Sequence, residues 1–387
     1  MGIRKEKVMR IVRTFHPVGQ GAFYSERFYD GQQRSSKHNV VFDCGVCVGK
    51  ESMVKHVVKQ AFTDNDEIDY LFISHLDYDH VSLAYNIVSK AKNIVLPLVS
   101  EEHLVIAMLY YKIEERNEMV AFFQEVIERL SGRNDNRSVI FIGGDEDESG
   151  KQSNVIKSGN ELLNSWDPEW VFIPCNMKYH SRREELLDEL EKVLLDRNFT
   201  DAIKRIGLEP IETGVELIKK LKDKDLAEKV LLIPDLRKAI KSAYENIEGG
   251  TNENSLLLYS GPKNEVTSYR LMRCRPEKLW YYCNTRRAAC LYTGDNNSNI
   301  IDWQQMYAGV WGLIGTIQLP HHGSVDSFDV ATNPIDREYV FPVSFGTYNT
   351  YGHPSGKVLA YLQVCDCCVP LVTEIANSEY MQKIIRW

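Results

Sequence analysis

The segment Ser74-His75-Leu76-Asp77-Tyr78-Asp79-His80 places His75, Asp77, Asp79 and His80 directly after the apolar run Tyr70-Leu71-Phe72-Ile73. Alternate residues of an extended segment point the same way, so His75, Asp77 and Asp79 converge on one side while His80 points elsewhere. Imidazole nitrogens and carboxylate oxygens both coordinate divalent cations, and donors leaving a loop in two directions suit two neighbouring ions. For one His and one Asp, a solvated loop capping the next helix is the simpler account. Four candidate ligands at this spacing favour a metal centre.

Further candidates arrive at the ends of other apolar runs. Asn39-Val40-Val41-Phe42 reads as a buried strand and delivers Asp43-Cys44-Gly45; a helix is predicted from Glu51 to Phe62. Strand, helix, strand with polar residues at the strand ends is how α/β proteins present chemistry. Before this unit, Val8 to Phe15 alternates as a strand, turns through His16-Pro17-Val18-Gly19-Gln20-Gly21 and resumes at Ala22-Phe23-Tyr24. Strand-like texture returns at Ser255–Tyr259, Ala288–Tyr292 and Leu313–Leu319, the last two closing on Thr293-Gly294-Asp295 and Pro320-His321-His322-Gly323-Ser324. Tyr351-Gly352-His353-Pro354 follows Val340–Phe345. Separated strand ends presenting Asp or His are expected to open onto one cleft.

Residues 101–250 differ in texture, with charged amphipathic patterns and a capping box at Ser181 and Glu184; they are expected to form a mainly helical insertion between segments 1–100 and 251–387. Two strand-like runs, Val139–Ile142 and Trp170–Ile173, interrupt it. A chain of 387 residues, 43% apolar and 26% charged, has the composition of a globular protein with a sizeable core. No apolar run approaches the roughly 20 residues of a membrane span, and the N-terminus lacks a signal-peptide block, so a cytoplasmic protein without membrane association is expected. Nine cysteines, an odd number, fit a reducing compartment. The net charge of −8 argues against a general basic surface for nucleic acid, although local patches and bound cations can still receive phosphates.

Taken together, these motifs resemble the metallo-β-lactamase superfamily, and within it the branch typified by the soluble domain of ComEC-type competence proteins. That branch has Asp, as at Asp77, where the general signature has a third-position His. Val18-Gly19-Gln20-Gly21, Asp43-Cys44-Gly45, Asn252-Glu253-Asn254-Ser255, Thr293-Gly294-Asp295, His321-His322-Gly323-Ser324 and Gly352-His353-Pro354 continue the likeness in the branch's order. It covers roughly residues 8–95 and 250–375. Ser82-Leu83 stand where the branch usually has paired glycines.

The resemblance implies an α/β fold, the αββα four-layer sandwich of that superfamily, with the helical insertion interrupting one domain. It also implies a hydrolase with two divalent metal ions. His75 and Asp77 would belong to one position, Asp79 and His80 to the other, with Asp295 bridging and His321 or His322 completing the set. Asp79 would also hold the nucleophile. His353 is open to three roles: ligand, hydrogen-bond partner of a substrate phosphate, or proton donor to a leaving group. Asp43, Asn254 and Ser255 would orient ligands from behind. Exchanging imidazole for Asp77 hardens the site, which favours Mn2+, with Zn2+ second. The branch points to a phosphodiesterase or nuclease on single-stranded or flexible DNA. Arg270, Arg273, Arg275, Arg286 and Arg287, interleaved with aromatic residues, are candidates for binding such a substrate, against the simpler reading of a twisted hairpin. Alternatives are a small phosphodiester, ester or lactone as substrate, or a metal-binding subunit of a bacterial defence or DNA-processing complex, gated by a partner or by self-association through 101–250.

Overall fold

In the computed structural model, the described residues are 9–31, 33, 35–132, 137–143, 154–162, 164–176, 188–189, 191–192, 201, 204–205, 207, 211, 213–234, 237–238, 240–242, 255–265, 269–274, 280–299, 301–328 and 337–386. The chain runs β1 (Met9–Phe15), β2 (Phe23–Asp30), β3 (His38–Cys44), α1 (Glu51–Ala61), β4 (Ile68–Phe72), α2 (Tyr78–Val81), β5 (Ala91–Pro97), α3 (Glu101–Ile113), α4 (Asn117–Leu130), β6 (Ser138–Gly143), β7 (Val155–Lys157) and β8 (Trp170–Cys175). It continues with α5 (Gly214–Leu221), α6 (Lys224–Leu231), β9 (Leu257–Pro262), β10 (Tyr269–Cys274), β11 (Trp280–Thr285), β12 (Ala289–Tyr292), α7 (Trp303–Met306), β13 (Ile314–Ile317), β14 (Val343–Ser344), α8 (Gly356–Val364), β15 (Leu371–Val372) and β16 (Tyr380–Arg386).

Two large sheets result, a ten-stranded one ordered β11-β10-β16-β1-β2-β3-β4-β5-β6-β7 and a four-stranded one ordered β13-β12-β9-β8. Both are mixed. β3 to β7 are parallel neighbours, as are β12 and β13, while the remaining pairs are antiparallel.

Side-chain alternation explains why so many strands read as continuous apolar runs. In β4, Tyr70 and Phe72 enter one cluster with Phe172 of β8 and Leu258 of β9, whereas Leu71 enters another with Val54 and Val58 of α1 and Phe123 of α4. In β12, Cys290 and Tyr292 join the first of these clusters, while Ala289 and Leu291 face Trp303 of α7 and Leu362 of α8. A strand covered on both faces needs apolar residues at every position, so the usual two-residue period disappears. Burying one such side chain contributes roughly 1.5–3 kcal/mol.

β6 and β7 extend the larger sheet and β8 edges the smaller one. The segment expected to be a mainly helical insertion therefore supplies three strands to the two sheets. The strand-like runs at Val139–Ile142 and Trp170–Ile173 form β6 and β8 because each places apolar side chains on opposite faces, while β7 (Val155–Lys157) had no such expectation. The capping box at Ser181 and Glu184 and the acidic turn at 145–150 lie outside the described residues.

A buried polar network crosses between the sheets. Arg13 Nε lies 2.7 Å from Glu26 Oε1, and its Nη1 donates to Gln382 Oε1 at 2.9 Å. Glu26 in turn accepts from Ser260 Oγ at 2.6 Å and Tyr292 Oη at 3.0 Å. Burial alone would lower the Arg13 pKa, but Glu26 overrides it and the guanidinium stays charged. Strands β1, β2, β9, β12 and β16 are thus tied by one interior ion pair. No helix among the described residues is long and apolar enough to cross a membrane.

Candidate metal centre

Parallel strands aim their C-terminal ends one way, and in this chain both sheets do so at the same edge. β3 delivers Asp43, β4 delivers Ser74 and His75, β12 delivers Gly294 and Asp295, and β13 leads to His321 and His322. A backbone bond joins the two halves there, Leu256 N donating to Ser74 O at 2.8 Å, and within the second half His321 N donates to Gly294 O at 3.1 Å.

Asp43 organises the first half. It is fully buried, with φ 54°; its Oδ1 accepts from Ser74 N at 2.7 Å, and its Oδ2 accepts from Ser74 Oγ at 2.7 Å and His80 Nδ1 at 2.8 Å. Ser74 Oγ, having donated to Asp43, accepts from His75 Nδ1 at 2.9 Å. His322 Nδ1 donates to Ser344 O at 2.8 Å. Each ring is thereby fixed through Nδ1, leaving Nε2 with its lone pair turned inward, the arrangement that metal-ligating histidines need.

Two three-residue groups result, His75, His80 and Asp295, and Asp79, His80 and His322, with the ligand atoms of each within 4.8 Å of one another. His80 Nε2 is 3.1 Å from Asp295 Oδ1, and His322 Nε2 is 3.2 Å from Asp79 Oδ2. Asp295 Oδ2 lies 3.9 Å from His75 Nε2 and 3.8 Å from His321 Nε2. His75 Nε2, His80 Nε2 and Asp295 Oδ1 are buried without a hydrogen-bond partner. Such orphaned atoms are costly, and three of them facing one another with ligand chemistry fit divalent cations.

His80 thus stands in both groups, rather than with Asp79 alone as the resemblance implied. His322 belongs to the Asp79 group, while His321 approaches Asp295 and shares a hydrogen bond with Ser327 Oγ through Nδ1 at 3.0 Å. Asp77 is partly exposed, with Oδ2 3.5 Å from His75 Nε2, and lies outside both groups. His353 sits on the rim, its ring 5.5 Å from that of His321. Ser255 Oγ accepts from Asp295 N at 3.1 Å and lies 3.4 Å from His75 Nδ1. Asn254 and Arg275 lie outside the described residues. Arg270 and Arg273 fall on β10, four strands from β3 in the sheet order. Arg287 stacks on Tyr339 at 5.0 Å and pairs with Glu338 at 3.4 Å, ahead of the start of β12 and not at its Asp295 end. Arg286 beside it is exposed. Neither arginine joins the cluster.

Electrostatics follow from this crowding. Burial opposes charge on every member, yet the imidazoles and carboxylates hold one another ionised. His80 is pushed down by burial but held well above its ordinary value by Asp295, Asp43 and Asp79. Burial and His80 lower His75, and Asp77 and Asp295 more than compensate. Asp295 is kept well below the usual carboxylate range, against burial, by His80. Asp79, likewise opposed by burial, is brought down to about 2 by His80 and the hydrogen bond with His322. His353 is lowered by burial and by His321 and His322.

Close approach dictates two glycines. A Cβ on Gly294, at φ +52°, would stand 2.3 Å from Ser255 Oγ, and one on Gly45 would stand 2.5 Å from the Asp79 carbonyl. His321 and His322 adopt φ 45° and 54° without being glycine. Left-handed backbone costs about 1–3 kcal/mol per residue and persists where surrounding structure enforces it, commonly at functional sites.

Ser74 and Gln318 were not singled out by sequence. Gln318 Oε1 accepts from Thr293 N at 2.9 Å and Gly294 N at 3.0 Å, fixing the Asp295 turn; its one trace in sequence is a polar residue interrupting an apolar run. Ser82, where paired glycines were the pattern, is buried and bridges Val46 by accepting from its N–H at 3.0 Å and donating to its carbonyl at 2.9 Å. Tyr78 hydrogen-bonds Glu51 and Glu118, and Tyr111 Oη donates to Leu76 O at 3.4 Å, so α3 and α4 buttress the ligand loop.

Beside the cluster opens a cleft of about 360 Å³ whose walls include Tyr78, Asp79, His321, His322, Tyr348 and His353. Among curated proteins, none matches the chain. A family model does match, over residues 33–153, which include the Asp43 turn and the His75–His80 loop. The description of that model is the metallo-beta-lactamase superfamily, so residues 33–153 are similar to a domain of that superfamily, whose members are mostly metal-dependent hydrolases.

Proposed function

We propose that this protein is a dinuclear-metal phosphodiesterase of the ComEC-like branch, acting on single-stranded or flexible DNA, with its two sheets at the centre of a four-layer αββα sandwich. The apolar cluster between the sheets and the helix-covered clusters outside them support the layering. The observation that carries the function is the orphaned set His75 Nε2, His80 Nε2 and Asp295 Oδ1 beside Asp79 and His322.

One imidazole lone pair binds one cation, whereas Asp295 has two oxygens directed at different histidines, so Asp295 is the group able to serve both positions. The mixed carboxylate and imidazole donors favour Mn2+ first and Zn2+ second. Two such cations would supply Lewis-acid activation of water and neutralise charge on the phosphoryl oxygens. Asp79, ionised at neutral pH with a pKa of about 2, is too weak a base to take a proton readily; it accepts a hydrogen bond and orients the attacking water. His353, lowered by burial and its histidine neighbours, is neutral at pH 7 and donates a hydrogen bond to a substrate oxygen.

Purified protein supplied with Mn2+ is expected to cleave a labelled oligonucleotide and a generic phosphodiester, and to lose both activities on Asp79→Ala substitution. Cleavage of neither by the metal-loaded wild type would falsify the reading. The modest cleft volume favours, as a second reading, a small phosphodiester such as a nucleotide. Comparing turnover of dinucleotides and long strands separates the two.

Chelated protein should show an inverted pH dependence of stability. His80 is raised above its ordinary 6.5, so its contribution is complete below that pH and lost as pH rises through its folded value. Asp295 is depressed below 3.8, so its contribution is present above that value and lost only as pH falls through its folded value. The unfolding temperature in EDTA is therefore expected to decline as pH rises above about 6.5. With Mn2+ it should hold or climb over the same interval, because cations take the deprotonated imidazoles. A rising curve in EDTA would contradict this.

A further inference from the structure

Tyr351 is 73% exposed and open to solvent. It stands on the rim of the cleft that contains Asp79 and His322. Its ring is held in place, stacked on His353 with centroids 6.2 Å apart and planes 17° apart. The loop is clamped by Asn349, whose Nδ2 donates to Gly346 O at 2.6 Å and to His353 O at 2.8 Å. In the same cleft Tyr348 carries the Lys50 ammonium over its ring at 4.5 Å, and Tyr78 carries the Arg116 guanidinium at 5.4 Å. A rigid exposed ring and cations resting on neighbouring rings are the parts that recognise a base and its flanking phosphate.

We propose that this rim is a nucleotide subsite in which one unpaired base stacks on Tyr351 and the adjoining phosphate meets Lys50. A duplex keeps its base faces inside its own stack, so the platform selects unpaired strands. The assignment rests on the phosphodiesterase reading. It moves strand recognition from the Arg270–Arg287 hairpin to the cleft itself.

The test is fluorescence anisotropy of a 5′-fluorescein-labelled oligothymidylate of eight nucleotides with the full chain in EDTA, which prevents turnover, and a fully paired hairpin as comparator. Wild type should bind the single strand more tightly than the hairpin. Tyr351→Ala should weaken single-strand binding about tenfold, within the range measured for one stacked base, while Tyr351→Trp retains it. Lys50→Gln should weaken it severalfold and reduce the salt dependence by about one phosphate contact. Because Tyr351 is exposed, its replacement spares the core, and an unchanged unfolding temperature verifies this. Binding by Tyr351→Ala within twofold of wild type, or no single-strand preference in wild type, overturns the subsite. Hydrolysis of a generic phosphodiester by the Mn2+-loaded wild type, measured separately, reports on the enzymatic reading alone.

Discussion

Asp295→Ala is expected to lower phosphodiester turnover of the Mn2+-loaded protein by at least about a thousandfold, equivalent to roughly 4 kcal/mol of transition-state stabilisation. Asp295 approaches three imidazoles, with Oδ1 3.1 Å from His80 and Oδ2 3.9 Å from His75 and 3.8 Å from His321. No other carboxylate of the cluster faces all of them, so none can take its place. Metal content by mass spectrometry should fall with activity. Asp295→Asn, which keeps shape and drops the charge, should fail in the same direction while leaving the Ser255 Oγ contact from the backbone N–H intact. Activity of either variant within tenfold of wild type would remove Asp295 from the reacting centre.

Glu26→Ala should destabilise the fold by about 3–5 kcal/mol, because it strands the Arg13 guanidinium between the sheets. Arg13 and Glu26 are 0% and 1% exposed, and no described acid replaces Glu26 at Arg13 Nε. Ser260 and Tyr292 lose their acceptor at the same time. For a chain of this length the unfolding temperature should drop by about 5 °C, readable by circular dichroism. Replacing Arg13 and Glu26 together by Met and Leu should recover much of the loss, since an apolar pair of similar volume leaves no uncompensated charge. A single variant as stable as wild type would mean that water reaches Arg13.

The ligand loop was legible because its residues are close in the chain. Four donors after a buried strand state their chemistry locally, and the strands that carry them declare themselves by apolar runs. The positions of the loops at strand ends were legible for the same reason. The strands β6 and β8 were visible as apolar runs but not as members of the two sheets, and β7 was not read at all, since strand pairing is a long-range contact that composition does not encode. The arginine-rich hairpin declared its residue types but not its place in the sheet. Its sequence carries the residue types of a nucleic-acid groove, yet β10 and β11 lie at the far edge of the larger sheet, while sparse tyrosines from distant segments gather at the cleft.

By itself, the sequence determined which atoms could coordinate a cation and which faces of the strands had to be buried, because donor type and alternation are local properties. Arg13 illustrates the limit: its parity with Met9, Ile11 and Phe15 places it on the inward face, but its counter-charge on β2 and its acceptors on other strands exist only after folding. Tertiary structure alone decided that His80 lies within reach of both ligand groups, that His322 rather than His321 meets Asp79, and that Ser74 and Gln318 hold the turns. Those outcomes depend on distances of a few ångströms between residues hundreds of positions apart. Only the packing of one sheet against the other sets such distances.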